Sequence, residues 1–114
     1  MVTVVSVKVG KEPVLRTIEN SLSSLQKEVG GYIQMVPVLP SVDLVCNEEG
    51  MFAGPNGEPL PANTCGILGD FLFVAYNTDG EMRGLTPDEV EKIYWWYRDH
   101  QNDIHPMFEG GSLL

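Results

Sequence analysis

The stretch between Asn20 and Gly50 constrains the fold more than any other part of the chain. Either Asn20 or Ser21 can begin a helix by accepting hydrogen bonds from the free amides of its first turn. A glycine pair at 30–31 permits the left-handed conformation that is common just past a helix end, so we predict that the helix stops there. Apolar residues recur on one face of this helix, at Leu22, Leu25 and Val29.

Two predicted strands follow this helix, at 32–38 and 42–46. Pro37 lies in the first of them, and because proline donates no hydrogen bond to a ladder, that strand should lie at a sheet edge or carry a bulge. Two further strands, at 3–9 and 14–18, precede the helix and are joined by turn residues. The first part of the chain therefore predicts two hairpins with one helix between them.

Residues 47–66 are rich in glycine, proline and asparagine and form the predicted loop region. The tight-turn pair Asn56-Gly57 could join two very short strands inside this loop, near 51–52 and 58–60. Residues 71–76, FLFVAY, are apolar on both faces of a pleat. This segment therefore most resembles a central strand.

The last helix has the clearest start in the sequence. Thr86 is a natural N-cap, Pro87 is tolerated at the first helical position, and Glu89 completes a capping box. Its apolar face is broad and comprises Val90, Ile93, Tyr94, Trp95, Trp96 and Tyr97.

The order of elements is β-β-α-β-β-loop-β-α, in which helices do not alternate strand by strand. Such an order indicates an α+β fold, with a mainly antiparallel sheet of about five strands and two helices packed on one face. We expect one domain over residues 1–108 and a flexible tail over residues 109–114.

The charge of the chain argues against several classes of partner. It carries 16 acidic and 7 basic residues, a formal net charge of −9, whereas nucleic-acid phosphates and anionic membranes attract basic surfaces. No apolar run approaches the roughly 20 residues that cross a bilayer, and the alternating N-terminus does not resemble a signal peptide. We expect a cytoplasmic protein that binds neither nucleic acid nor membrane and that could form a homo-oligomer.

Few residues could carry catalysis. Cys46 could pair with His100 or His105, but an unpaired strand cysteine is usually inert core. Glu48 and Glu49 could form an acid–base pair only if the turn bends them together, because adjacent strand residues point to opposite faces. The spacing of the two histidines matches no metal-ligand template, so we expect neither a metal site nor a cofactor.

Polar residues at the predicted strand ends form a candidate ligand-binding site. Tyr32 follows the glycine pair, Asn47 and Glu48 end a strand, and Asn63 lies in a proline-bounded loop. Strand ends and their loops are places where polar groups can converge without being needed for the ladder. The alternative is that the two asparagines hold turns through hydrogen bonds to the backbone.

Several short motifs, spread over nearly the whole chain, carry a family resemblance. They are Gly10-Lys11-Glu12-Pro13, Ile18-Glu19-Asn20-Ser21-Leu22 with Leu25-Gln26, Val29-Gly30-Gly31-Tyr32-Ile33, Cys46-Asn47-Glu48-Glu49-Gly50, Leu60-Pro61-x-Asn63, Ile67-x-Gly69 and Leu85-Thr86-x-Asp88-Glu89-x-Glu91. Together they resemble the family called domain of unknown function 3846. The resemblance implies a small protein or module of bacteriophages and mobile elements, with no activity attached to it.

These observations favour a non-enzymatic protein that binds a host protein or sequesters a small molecule, and that could in this way counter host defence. The aromatic run on the last helix exceeds what one core face needs, so Trp95 and Trp96 are candidates for contact with a partner. An enzyme that uses Cys46 or the Glu48-Glu49 turn is the alternative. Acidic DNA mimicry is a minor one, because the acidic residues are scattered apart from those in the segment 88–91.

Overall fold

The computed structural model describes residues 1–103 of the chain. The strands are β1 (Val2–Val7), β2 (Val14–Ile18), β3 (Ile33–Leu39), β4 (Val42–Asn47), β5 (Phe71–Tyr76) and β6 (Met82–Arg83), and the helices are α1 (Leu22–Val29) and α2 (Pro87–His100). The expected domain boundary at residue 108, the tail at 109–114 and His105 all lie outside the described residues.

The strands form one antiparallel sheet in the order β2-β1-β5-β4-β3, and β6 pairs with the end of β5. The predicted α+β fold is confirmed, with the two-residue β6 added to the five predicted strands. β5 lies in the centre, as its two apolar faces predicted. β3 is an edge strand, and its register with β4 shifts between Pro37 and Leu39. The edge position and the irregularity predicted from Pro37 are therefore both present.

The two helices cover opposite faces of the sheet, so the expectation that both pack on one face was wrong. One face is apolar through the even-numbered residues of β5, Leu72 and Val74, and the other through its odd-numbered residues, Phe71, Phe73 and Ala75. Because successive strand residues point to opposite faces, a sheet that is apolar on both faces needs a cover on each. Leu25 and Val29 of α1 cover the first face, whereas Ile93 and Tyr97 of α2 cover the second.

Both helices begin, and α1 ends, where their local signals place them. Ser21 accepts a hydrogen bond from the amide of Ser24, and Gly30 ends α1 in the left-handed conformation with a φ of 80°. Thr86 and Glu89 form the complete capping box at the start of α2. Leu22 is an exception to the predicted core face of α1, because it remains 58% exposed.

The loop between β4 and β5 does not contain the two short strands predicted near 51–52 and 58–60. Asn56-Gly57 does form the predicted tight turn, with φ of 58° and 77° and with the Glu58 amide donating to the carbonyl of Pro55 at 3.1 Å. Pro55 and Pro59 lie on either side of Asn56-Gly57 and have no amide hydrogen to give to a ladder, which is the physical reason that no strands pair beside the turn.

Neither helix of the described region is long and apolar enough to span a membrane.

Candidate functional site

Asn47, a predicted site residue, is buried where β4 ends beneath the end of α1 and is only 2% exposed. Its Nδ2 donates to the carbonyl of Val29 at 3.1 Å, and its Oδ1 accepts from the amide of Glu49 at 2.7 Å. A Cβ added to Gly31 would lie 2.9 Å from the same Nδ2. We call these four residues the Asn47 clasp, because they join the end of α1 to the end of β4.

Tyr32 and Glu48 lie beside this clasp and are exposed. The Tyr32 carbonyl accepts a hydrogen bond from the Glu48 amide at 2.8 Å, which extends the pairing of β3 and β4 by one step. A concavity of about 240 Å³ lies here, lined by Tyr32 and Asn47 together with residues of the end of α1 and of the following loop. Glu48 and Asn63 are not among its lining residues, so the structure brings together only two of the four predicted residues in this concavity.

Asn63 forms a second clasp at the other end of the loop region. Its Nδ2 donates to the carbonyls of Val7 and Gly69, at 3.1 and 2.9 Å, and its Oδ1 accepts from the amide of Thr64 at 2.7 Å. This Asn63 clasp joins the end of β1 to the loop that leads into β5. Both asparagine side chains therefore hold backbone segments in place, which is the structural alternative that the sequence left open.

The two cysteines are buried core residues. Burial raises the pKa of both the Cys46 and the Cys65 thiols to about 12, so neither is a thiolate at neutral pH, and the thiolate is the nucleophilic form. His100 is engaged elsewhere: its Nδ1 lies 2.8 Å from the carbonyl of Trp96, and its ring stacks on that of Trp96 at 4.1 Å. Among residues 1–103, no group of three His, Cys, Asp or Glu side chains is placed to hold a metal ion.

The two neighbouring tryptophans of α2 occupy different environments. Trp96 packs edge-on against Phe73 of the core, with 5.7 Å between ring centroids, and is covered on another side by His100. Trp95 is 54% exposed, and the guanidinium of Arg98 lies 4.1 Å from its ring centroid. Of the pair predicted to contact a partner, Trp95 is therefore the one that presents its ring to solvent.

Trp95 lines a groove of about 500 Å³ between α2 and the turn that leads into β2. The Tyr94 hydroxyl crosses this groove and donates to the carbonyl of Pro13 at 3.4 Å. The two walls of this α2 groove carry Glu12, Pro13, Glu91, Tyr94, Trp95, Tyr97, Arg98 and Gln101. Helical spacing alone places Glu91, Trp95 and Arg98 on one face of α2. The opposite wall comes from the β1–β2 turn, which is distant in the sequence, so no local pattern could predict that it lies beside α2.

One known family shares most of this chain. A family model described as Domain of unknown function (DUF3846) matches residues 2–98. The chain belongs to the DUF3846 family. The DUF3846 match includes the Asn47 and Asn63 clasps, all six strands and every lining residue of the α2 groove except Gln101. No curated protein and no solved structure matches the chain.

The start of α2 is held firmly in this DUF3846 protein. The Arg83 guanidinium donates two hydrogen bonds to the carboxylate of Glu89, both of 2.8 Å, and Glu89 also accepts from the Thr86 amide. These bonds, with the Arg83 bonds the largest contribution, lower the pKa of Glu89 to about 2. The bidentate pair ties the capping box to β6 and so fixes the helix whose outer face lines the groove.

Proposed function

We propose that this DUF3846 protein is a non-enzymatic binding protein and that the α2 groove is the surface with which it binds a protein partner. The observation that carries the proposal is Trp95, which is 54% exposed at the wall of an open groove of about 500 Å³. A few residues supply most of the binding energy in protein interfaces, and tryptophan is one of the residue types enriched among them.

The charges around the groove favour a basic segment of the partner. Two carboxylates, Glu12 and Glu91, line it against one cation, Arg98, and the whole chain has a formal net charge of −9. Complementary charges increase the rate of association and suppress wrong partners. In a phage or mobile-element setting, the partner would be a host protein.

The remaining alternatives find less support. The concavity at Tyr32 and Asn47 measures about 240 Å³, below the roughly 300 to 1,000 Å³ of small-molecule sites, and both polar ends of the Asn47 amide already bind backbone. An enzyme using Cys46 would need a thiolate that its pKa of about 12 does not supply. DNA mimicry would need free rows of carboxylates, yet Glu89 is paired with Arg83 and Asp88 with Lys92.

Selection from a displayed random-peptide library on the full chain tests this proposal, because such a selection works without a known partner. The enriched peptides are then measured against Trp95→Ala and against Phe52→Ala, a matched control that is 71% exposed in the β4–β5 loop. We expect Trp95→Ala to weaken binding by about tenfold or more, as for an interface hot spot, and Phe52→Ala to leave it unchanged. Selected peptides that bind Trp95→Ala as tightly as the parent would refute the proposal.

A further inference from the structure

The five-strand path of the sheet ends in two edge strands, β2 and β3, and they differ in how well they resist further pairing. β3 carries Pro37 and a register shift, which are two features that blunt an edge. β2 pairs with β1 in continuous register from Ile18 to Val14 and contains no proline. In the part of the chain that the structure describes, β1 is the only strand paired with β2. The outer side of β2 therefore presents unpaired amide and carbonyl groups.

The side chains of β2 do not block the pairing of another strand with its outer edge. Val14 and Leu15 are 47% and 54% exposed, and as neighbours in a strand they point to opposite faces. Arg16 is the only charged residue of β2, and its guanidinium binds the carboxylate of Glu28 in α1. Edge charges protect a sheet when they are free in solvent, whereas this charge is held against α1.

Concavities flank β2 on both of its faces. Leu15 pairs with Val5, which belongs to the core beneath α2, so Leu15 lies on the face that carries the α2 groove. Pro13, the residue just before β2, is part of that groove together with Glu12. On the α1 face, a second concavity of about 460 Å³ lies between β2 and α1, and its charges balance, with Glu19 and Glu28 against Arg16 and Lys27.

We propose that the outer edge of β2 binds an extended segment of the partner, in which apolar and basic residues alternate, as an added strand of the sheet. This inference rests on the proposed function and names the mode of binding beside the α2 groove. The backbone groups of β2 would supply affinity, and the flanking concavities would read alternate side chains. Because alternate residues of a strand share one face, the basic residues of the segment would all lie on the α2 side, beside Glu12 and Glu91, and its apolar residues on the α1 side.

A second copy of this chain fits the same edge less well. Each copy has a formal net charge of −9, so two copies repel one another. An antiparallel pairing of two β2 strands centred on Arg16 would also place arginine opposite arginine, and like charges directly opposite destabilise a sheet.

A synthetic peptide that alternates valine with lysine is the probe for strand addition. Its binding to the full chain is compared with that of the same peptide methylated at every backbone nitrogen, and with a peptide in which glutamate replaces lysine. We expect methylation to weaken binding by about tenfold or more, because several backbone hydrogen bonds are lost. The glutamate peptide should bind far more weakly, and amide exchange within β2 should slow when the lysine peptide is added.

Leu15→Lys and Met35→Lys form a matched pair of protein variants. Both replace an exposed apolar residue of an edge strand, on β2 and on β3 respectively. We expect Leu15→Lys to weaken binding of the lysine peptide by about tenfold, and Met35→Lys to leave it unchanged.

The outcomes separate this inference from the proposed function. Equal binding of the methylated peptide, still weakened by Trp95→Ala, would overturn strand addition and leave the groove as the binding surface. Slowed exchange in β2 with no effect of Trp95→Ala would overturn the groove instead. Protection of β2 that increases with protein concentration in the absence of peptide would show that a second copy occupies the edge, and would overturn the assignment to a partner segment.

Discussion

The end of α1 and the outer face of α2 both contain residues that the sequence marks as candidates for binding, but they use them in opposite ways. Asn47, the last residue of β4, lies beneath the end of α1 and is 2% exposed, and both ends of its amide bind backbone. Trp95, on α2, is 54% exposed and lies on the wall of an open groove. The polar residue holds the fold together, whereas the aromatic residue presents its ring to solvent.

This contrast shows that residue type alone does not tell whether a side chain is free to bind a partner. A buried amide must satisfy its donors and acceptor inside the protein, because leaving them unpaired is costly. An exposed indole has no such requirement and can bury its ring in a partner. The Asn47 clasp should therefore respond to mutation through stability, and the α2 groove through binding.

The largest effect on stability is expected for Asn47→Ala. The substitution leaves the buried carbonyl of Val29 and the amide of Glu49 without their partner, and we expect it to lower the free energy of unfolding by about 2 to 3 kcal/mol. Chemical denaturation measures this loss. Glu48→Ala, at the exposed neighbouring position, is the control and should change stability by less than about 0.5 kcal/mol. A loss no larger than that of the control would mean that the clasp does not hold α1.

A smaller effect, but one more specific to the clasp, is expected for Gly31→Ala. The added Cβ would lie 2.9 Å from Asn47 Nδ2, and such crowding should cost about 1 to 2 kcal/mol. In the Asn47→Ala background that contact is gone, so the same substitution should cost close to nothing. Denaturation of both single variants and of the double variant measures this coupling, and strictly additive losses would contradict it.

Acid should weaken the anchor of α2 by about 1 kcal/mol, less than the full pKa shift implies, because solvent screens this partly exposed pair. The folded pKa of Glu89 is about 2, against an ordinary value of 4.5, so the pair with Arg83 stabilises the protein above about pH 4.5 and loses its contribution as the pH falls towards 2. Glu89→Gln removes this titration. The difference in unfolding free energy between parent and Glu89→Gln should therefore shrink between pH 5 and pH 2, and a difference that stays constant would contradict the assignment.

The smallest effect on stability is expected for Trp95→Ala, at less than about 0.5 kcal/mol, because a surface substitution outside the core removes little buried contact. Thermal and chemical denaturation measure it alongside the peptide-binding assay. A loss of several kcal/mol would show that Trp95 is part of the core. The comparison between the clasp and the groove would then fail.

Local signals were sufficient to predict most of the elements. The capping box of Thr86 and Glu89, the glycine stop at Gly30 and the edge position of the Pro37 strand act through neighbouring residues, and the structure has all three. Combined over the chain, short motifs also indicated the DUF3846 family, which the match over residues 2–98 confirms. The two short strands predicted beside the Asn56-Gly57 turn do not form, because the prolines at 55 and 59 lack the amide hydrogens that a ladder requires.

Tertiary structure alone decided which face each helix covers and which candidate residues remain free. Both faces of β5 are apolar, so each must be covered by other residues. The alternation of side chains along a strand does not predict which helix packs on which face. Asn47 binds a carbonyl 18 residues away, and Asn63 one that is 56 residues away. Periodicity and capping extend over a few residues only, so partners this distant become defined once the strands have paired. The same holds for Trp95 and Trp96. They are neighbours in the sequence, and only the packing of α2 on the sheet decides that Trp96 contacts the core and Trp95 is exposed.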